Sequence, residues 1–149
     1  MLNEVDFPLT NSQISEFILD EGYTTYFKLQ QALSELLESG FIREESTHHR
    51  TFYHLTEDGA ETIHYFTNDI SPAIQHDIDE FLKEKHYELK NEMSVKADYF
   101  ENSNMEYSVR CQVIEQGLPL IDLTVTAPTE SEAATIANNW QKRNQEIYA

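Results

Sequence analysis

The run from Gly40 to Gly59, GFIREESTHHRTFYHLTEDG, limits the fold of this chain more than any other stretch. Two short strand candidates, 41–45 and 51–55, are joined by five polar residues, which predicts a β-hairpin with its turn at 46–50. The residues just before it, 24–39, repeat apolar side chains at helical spacing. Gly40 ends that helix because glycine tolerates the left-handed conformation. The pattern therefore predicts a helix, a glycine stop and a hairpin in immediate succession.

Two further short helices flank this pattern. Thr10 and Gln13 form a predicted capping box, and the helix that follows ends near Gly22. Its apolar stripe consists of Ile14, Phe17 and Ile18. After the hairpin, Thr56 is placed to cap a third helix that runs to about Thr67.

The rest of the chain predicts a long helix and then a small sheet. Ser71-Pro72 begins the helix, which continues to about Met93, since proline is favoured at the first helical position. Three segments with alternating apolar residues follow, centred on Ala97, Cys111 and Leu123. A last helix follows the sequence PTESEAATIANNWQ. Three antiparallel strands packed by one helix make a small α+β unit.

Charge sets limits on the partners of the chain. It has 27 acidic and 10 basic residues, a formal net charge of −17. Residues 1–71 contain three basic and 13 acidic residues, and residues 72–149 contain seven and 14. Such a balance repels nucleic acid and anionic membranes at long range.

No apolar run approaches the roughly 18 residues of a membrane span, and residues 1–9 lack the pattern of a signal peptide. The single cysteine excludes an internal disulfide. We therefore expect a cytoplasmic protein that does not bind membranes.

The run from Leu9 to Gly59 resembles the winged helix-turn-helix superfamily. The resemblance lies in the order L-x-x-L-L-E-S-G-F-I, a basic-tipped hairpin, and then F-Y-H-L-T-E-D-G. Over its whole length the chain resembles an uncharacterised Gram-positive family of unknown function, in which a winged helix precedes an α+β tail. This resemblance implies a winged helix-turn-helix domain over 1–70, a connecting or dimerisation helix over 71–93 and a small α+β domain over 94–149.

The resemblance also implies DNA-binding residues. On the recognition helix they are Thr25, Lys28 and Gln31, and on the wing they are Arg43, His48, His49 and Arg50. Glutamine suits adenine and lysine suits guanine, although an ordinary solvated helix face contains the same residue types. Three lysine and arginine side chains per protomer give about six phosphate contacts in a dimer, so we expect modest, salt-dependent affinity. The histidines add charge below about pH 6.5.

A winged helix normally has one more helix before the first one predicted here, and seven residues precede Pro8. Two explanations remain open: the natural N-terminus extends further, or a partner protomer covers the apolar stripe of the helix around Leu29. Both predict self-association or a frayed N-terminus. Pairing of DNA half-sites also favours a homodimer.

Catalytic and metal sites are not predicted. His48, His49, His54 and His64 have no convergent carboxylate or thiol in the pattern, and adjacent histidines at a hairpin tip point to opposite faces. Cys111 alternates with valines on one face of a strand, which favours packing as a small hydrophobe. Because phosphate loops and nucleophile signatures are also missing from the sequence, we expect neither an enzyme nor a cofactor.

Two functions follow from these observations. The first is a dimeric DNA-binding transcription regulator whose α+β unit serves assembly or sensing. The alternative is a protein-protein interaction module that keeps the winged-helix fold without binding DNA. In that case its acidic surface attracts a basic protein partner, and residues such as Glu44 and Glu45 contribute to docking.

Overall fold

A computed structural model describes residues 1–48, 50–115 and 118–148. In these residues the fold is mixed α+β, with six α-helices and two three-stranded antiparallel sheets. The chain divides into two compact units, the first from residues 1–46 and 50–89 and the second from residues 47–49 and 90–149. Within the described residues, none of the helices combines the length and apolar character that a bilayer crossing requires.

The first unit contains most of the helices. Its elements are β1 (Leu9–Thr10), α1 (Asn11–Asp20), α2 (Tyr26–Glu38), β2 (Ile42–Ser46), β3 (Thr51–Leu55), α3 (Glu57–Phe66) and α4 (Pro72–Glu84). Single-turn 3₁₀ helices occur at Leu2–Glu4 and Thr67–Asp69. The sheet order is β1-β3-β2, so the last strand of the hairpin lies in the middle. β1 was not predicted, because a two-residue strand carries no periodicity, yet Leu9 is completely buried in it.

Several local predictions in this unit are confirmed. Thr10 and Gln13 form the capping box, with the Gln13 N–H donating to the Thr10 hydroxyl at 3.0 Å. Thr56 caps α3, and Ser71 caps α4 with Pro72 in its first turn. Gly40 has φ +74°, the left-handed conformation expected of a helix stop.

The core of the first unit lies between α1, α2, α4 and the sheet. Its buried members include Leu9, Ile14, Leu29, Leu33, Ile42, Tyr53, Leu82 and Leu89. Each such side chain contributes about 1.5–3 kcal/mol when fully buried. Residues Met1, Leu2, Val5 and Phe7 pack against this cluster from the N-terminal segment.

The prediction of a single helix from Ser71 to about Met93 is wrong. The structure has two helices, α4 and α5 (His86–Ser94), separated at Lys85, whose φ and ψ of −101° and 7° leave the helical region. Neither glycine nor proline marks this break, so no residue pattern predicts it. Lys85 Nζ donates to Glu16 Oε1 at 2.8 Å, which ties the break to α1. The boundary between the two units falls within α5.

The second unit is a sheet covered by one helix, as the alternation predicted. Its elements are β4 (Val95–Glu101), β5 (Tyr107–Glu115), β6 (Leu118–Ala127) and α6 (Glu130–Tyr148). The strand order is β4-β5-β6, with Ala97 opposite Cys111 and Cys111 opposite Leu123. Ala133, Ala137 and Trp140 of α6 are buried against the sheet, and the Trp140 indole N–H donates to the Gln112 carbonyl at 3.1 Å. Cys111 is 3 % exposed, so its predicted packing role is confirmed.

Candidate nucleic-acid interface

A polar network fixes α2 against α1. The Asn11 amide donates to Gln30 Oε1 at 2.8 Å, and the Gln30 amide donates back to Asn11 Oδ1 at 3.1 Å. Asn11 also donates to the Tyr53 hydroxyl at 3.0 Å and accepts from the Ser15 hydroxyl at 3.1 Å. The network therefore joins both helices to the central strand β3. Because these groups are partly buried, loss of any one leaves its partners short of a hydrogen bond.

The three predicted recognition residues lie at the exposed side of α2. Thr25 is the N-cap, and its hydroxyl accepts from the Lys28 N–H at 3.4 Å, so it has a structural role at the helix start. Lys28 and Gln31 are exposed. Gln31 donates to Glu35 Oε1 at 3.4 Å, one turn further along the helix. The structure thus brings these three residues onto one surface, together with an acidic neighbour.

Two aromatic residues also belong to the exposed surface of α2. Phe27 is 82 % exposed and Tyr26 is 57 % exposed. Helical spacing places Tyr26 on the same face as Leu29 and Leu33, but only those two leucines are buried in α2. The start of α2 is therefore more apolar on the outside than its sequence periodicity suggested.

The predicted wing is the β2–β3 hairpin, and its residues do not form one cluster. Arg43 lies opposite His54 near the base of the hairpin and is exposed. It lines a cavity of about 350 Å³ together with Asp6 and other residues of the N-terminal segment. His54 Nε2 lies 3.0 Å from Glu45 Oε2, an ion pair when the histidine is protonated. Arg50 is half-buried just before β3, and His49 lies outside the described residues.

His48 is held within the second unit, to which residues 47–49 belong. Its imidazole stacks on the Tyr99 ring, with centroids 3.8 Å apart and planes 8° from parallel. Its ring Nδ1 hydrogen-bonds to Asp98 Oδ1, and its backbone N–H donates to the same oxygen at 3.2 Å. Burial raises the pKa of Asp98, but the hydrogen bonds from His48 and from the Tyr99 N–H outweigh it, so the pKa lies below its ordinary value. His48 thus packs within the second unit, a contact that the sequence pattern did not indicate.

Among the described residues, no three histidine, cysteine, aspartate or glutamate side chains could hold a metal ion together. An apolar cavity of about 330 Å³ in the first unit lies between α1, α2 and α3, bordered by Leu29, Leu33, Leu36 and Ile63. Its lining side chains are apolar or uncharged, and Met1, whose amino group has a pKa lowered by burial, is one of the lining residues.

Sequence reasoning missed the Asn11–Gln30 network and the docking of His48. One signal for the network was present, since Gln30 adjoins Leu29 on the predicted apolar stripe and a polar residue there needs a partner. For His48 there was none, because the sequence separation from Asp98 is 50 residues.

Comparisons with known proteins identify a family. A family model described as Domain of unknown function (DUF4364) matches residues 1–149. No curated protein and no solved structure matches the chain.

Proposed function

We propose that this chain, which belongs to the DUF4364 family of unknown function, is a cytoplasmic transcription regulator. Its first unit acts as a winged helix-turn-helix that binds double-stranded DNA. It acts by binding alone, without catalysis or a cofactor. The α2 helix enters the major groove, and the β2–β3 hairpin lies beside it as the wing.

The connectivity of the first unit carries this proposal. β1, α1, α2, β2 and β3 follow one another in the chain, and β3 pairs with both other strands. Two consecutive helices joined by a short turn, with the second one exposed on its polar side, are what a helix-turn-helix presents to the major groove. The Asn11–Gln30 amide pair supplies the rigid helix–helix geometry that base contacts require.

The exposed residues of α2 supply suitable chemistry. Gln31 can make paired hydrogen bonds to adenine and Lys28 can reach guanine or a phosphate. Lys28, Arg43 and Arg50 are the lysine and arginine residues of the chain up to residue 71. Because this segment also contains 13 acidic residues, long-range electrostatic repulsion opposes DNA binding. Short-range contacts must overcome this repulsion. We therefore expect weak binding that is steeply salt-dependent.

The test is fluorescence anisotropy of the full chain with pooled genomic duplexes at about 50 mM and 200 mM salt. Lys28→Ala is expected to flatten the slope of log K against log salt by about 0.9 per lost phosphate contact. Gln31→Ala is expected to reduce discrimination between preferred and random duplexes by about 1–3 kcal/mol. Lys83→Ala, an exposed lysine of α4 in the same unit, is the matched control and should change neither quantity.

Absence of binding to the pool at the lower salt would overturn the proposal. Equal effects of Lys28→Ala and Lys83→Ala would also contradict it, because charge alone rather than the α2 surface would then govern affinity.

A second function, docking of a basic protein, is favoured by one specific observation. Phe27 and Tyr26 expose aromatic rings at the start of α2, and aromatic residues are enriched at protein interfaces. Glu35 and Glu38 on the same helix supply negative charge. Phe27→Ala separates the two functions: it should abolish capture of a basic partner while leaving DNA affinity within about twofold, a difference of about 0.4 kcal/mol.

A further inference from the structure

The β6 strand is an open edge of the second sheet. It is ten residues long, pairs with β5 on one side, and has no strand on the other side among the described residues. An edge of this length displays a row of unpaired backbone N–H and C=O groups, which is a template for pairing with another strand.

The face of β6 that should belong to the core is incompletely covered. Leu123 and Val125 lie opposite the buried Cys111 and Val109, on the side of the sheet that α6 covers. They nevertheless remain 47 % and 42 % exposed, whereas Cys111 and Val109 are 3 % and 0 % exposed. The helix thus covers β4 and β5 but leaves the middle of β6 open. Apolar surface of this kind on a sheet edge indicates an interface.

The two edges of the sheet differ in chemistry. β4, the other edge, carries Lys96, Asp98 and Glu101, and the backbone of His48 donates to Asp98 there. Charged residues on an edge strand discourage strand pairing. β6 carries a single charged residue, Asp122, and Arg110 neutralises it through bonds of 3.0 and 2.8 Å. β4 is therefore protected against pairing with another strand, and β6 is not.

We infer that β6 pairs antiparallel with β6 of a second copy of this chain, forming a six-stranded sheet across a two-fold axis. A two-fold axis at Thr124 sets Leu123 opposite Val125 of the second copy and Asp122 opposite Thr126, so no like charges meet. The Cβ atoms of residues paired in this way lie about 4.5–5.5 Å apart. Leu123 and Val125 of each copy are therefore covered by Val125 and Leu123 of the other. Identical strands in antiparallel pairing satisfy two-fold symmetry without further conditions.

Charge identifies a second copy as the occupant rather than a basic partner. A chain of net charge −17 repels its own copies at long range, so self-association is favoured at a locally neutral patch. β6 is such a patch. A basic protein would gain nothing from it, because its one carboxylate is already paired with Arg110.

A charge-exchange experiment on the full chain tests the interface. Two double variants are made, Leu123→Lys/Val125→Lys and Leu123→Glu/Val125→Glu, and their masses are measured by sedimentation velocity. The wild type is expected to be dimeric. Each variant alone is expected to be monomeric, with a dissociation constant raised at least about 100-fold, because like charges then face each other across the axis. An equimolar mixture of the two variants is expected to recover the dimer.

The control is Phe100→Lys/Met105→Lys, which places the same charges on exposed apolar residues of the same unit away from β6. It should remain dimeric. A wild type that is monomeric up to about 100 µM overturns the inference, as does a mixture that stays monomeric. Circular dichroism establishes that each variant is folded.

A cross-linking variant keeps the inference testable if the charged variants do not fold. Thr124→Cys is expected to form a covalent dimer under mild oxidation, because the axis brings the two sulfur atoms within disulfide range. Phe100→Cys on the other edge is the control and should not cross-link. Absence of the Thr124→Cys dimer overturns the inference. None of these measurements uses DNA, so their outcome is independent of the proposed function.

Discussion

Tyr23 links the connection between α1 and α2 to α4. Its hydroxyl donates to Asp77, and its ring packs edge-on to Phe17 at a centroid distance of 5.9 Å. The hydrogen bond to Asp77, followed by desolvation, raises the pKa of Tyr23 to about 12. A raised pKa means that the folded protein favours the protonated phenol. Its stabilising contribution is therefore complete below pH 10, the ordinary pKa of tyrosine, and is lost as pH rises toward 12.

Tyr23→Phe is expected to lower the thermal midpoint by a few degrees at neutral pH, because Asp77 loses its donor. The gap between wild type and variant should then narrow from pH 10 to 12, since phenolate formation destabilises the wild type alone. Thermal melts by circular dichroism across this range measure both effects. Tyr65→Phe, at a tyrosine that is 80 % exposed, is the control and should follow the wild type. A gap that stays constant with pH would contradict the assigned pKa.

At the level of elements, Gly59 explains why α3 can close the base of the hairpin. A Cβ at this position would lie 2.0 Å from the Phe41 carbonyl oxygen and 2.9 Å from Leu55 Cδ1. Thr56 contributes from the same turn: its hydroxyl donates to the Gly40 carbonyl at 2.7 Å and accepts from the Gly59 N–H at 3.1 Å. The L-T-E-D-G sequence thus connects the hairpin to α3 and packs the first turn of α3 against the base of the hairpin.

Gly59→Ala is expected to destabilise the protein by about 1–3 kcal/mol, because the added methyl group forces the backbone apart. Helix propensity alone predicts the opposite, a gain of about 1 kcal/mol for alanine over glycine. The free energy of unfolding measured in urea distinguishes these two expectations. Glu61→Ala, an exposed residue of the same helix, should stay within about 0.5 kcal/mol of wild type. Equal stability of Gly59→Ala and wild type would show that the contact is not tight.

Local sequence signals predicted the elements whose causes are local. The α1 cap at Thr10, the stop at Gly40 and the alternation around Cys111 each depend on neighbours within a few residues. The strand at Leu9 depends instead on a distant partner, Tyr53, and the break at Lys85 is marked by no local pattern.

The candidate site was predictable in the same limited sense. Helical spacing correctly placed Lys28 and Gln31 on an exposed surface. It gave no information about His48, whose position depends on Asp98 and Tyr99.

The net charge of −17 governs the behaviour of the whole molecule in salt. We expect repulsion among the 27 acidic residues to outweigh attractive pairs such as Lys85–Glu16 and so to oppose the compact state. Raising ionic strength from about 0.01 M to 0.15 M shortens the screening length from about 30 Å to about 8 Å. The thermal midpoint is therefore expected to rise by several degrees over this range at fixed protein concentration.

Differential scanning fluorimetry in NaCl and in KCl measures this shift, and agreement between the two salts attributes it to screening. A midpoint that falls with salt would mean that attractive ion pairs dominate. The same change in salt should weaken DNA binding, so stability and affinity are expected to move in opposite directions.

Burial of Cys111 in the middle strand gives the second unit a reporter of its own motions. The chain has one cysteine, and burial raises the pKa of its thiol, which leaves little thiolate to react at neutral pH. A thiol reagent therefore modifies this position only when the sheet opens, and the rate of labelling reads the free energy of that opening. The opening of the sheet can therefore be measured in the wild-type chain, without introducing a cysteine by mutation.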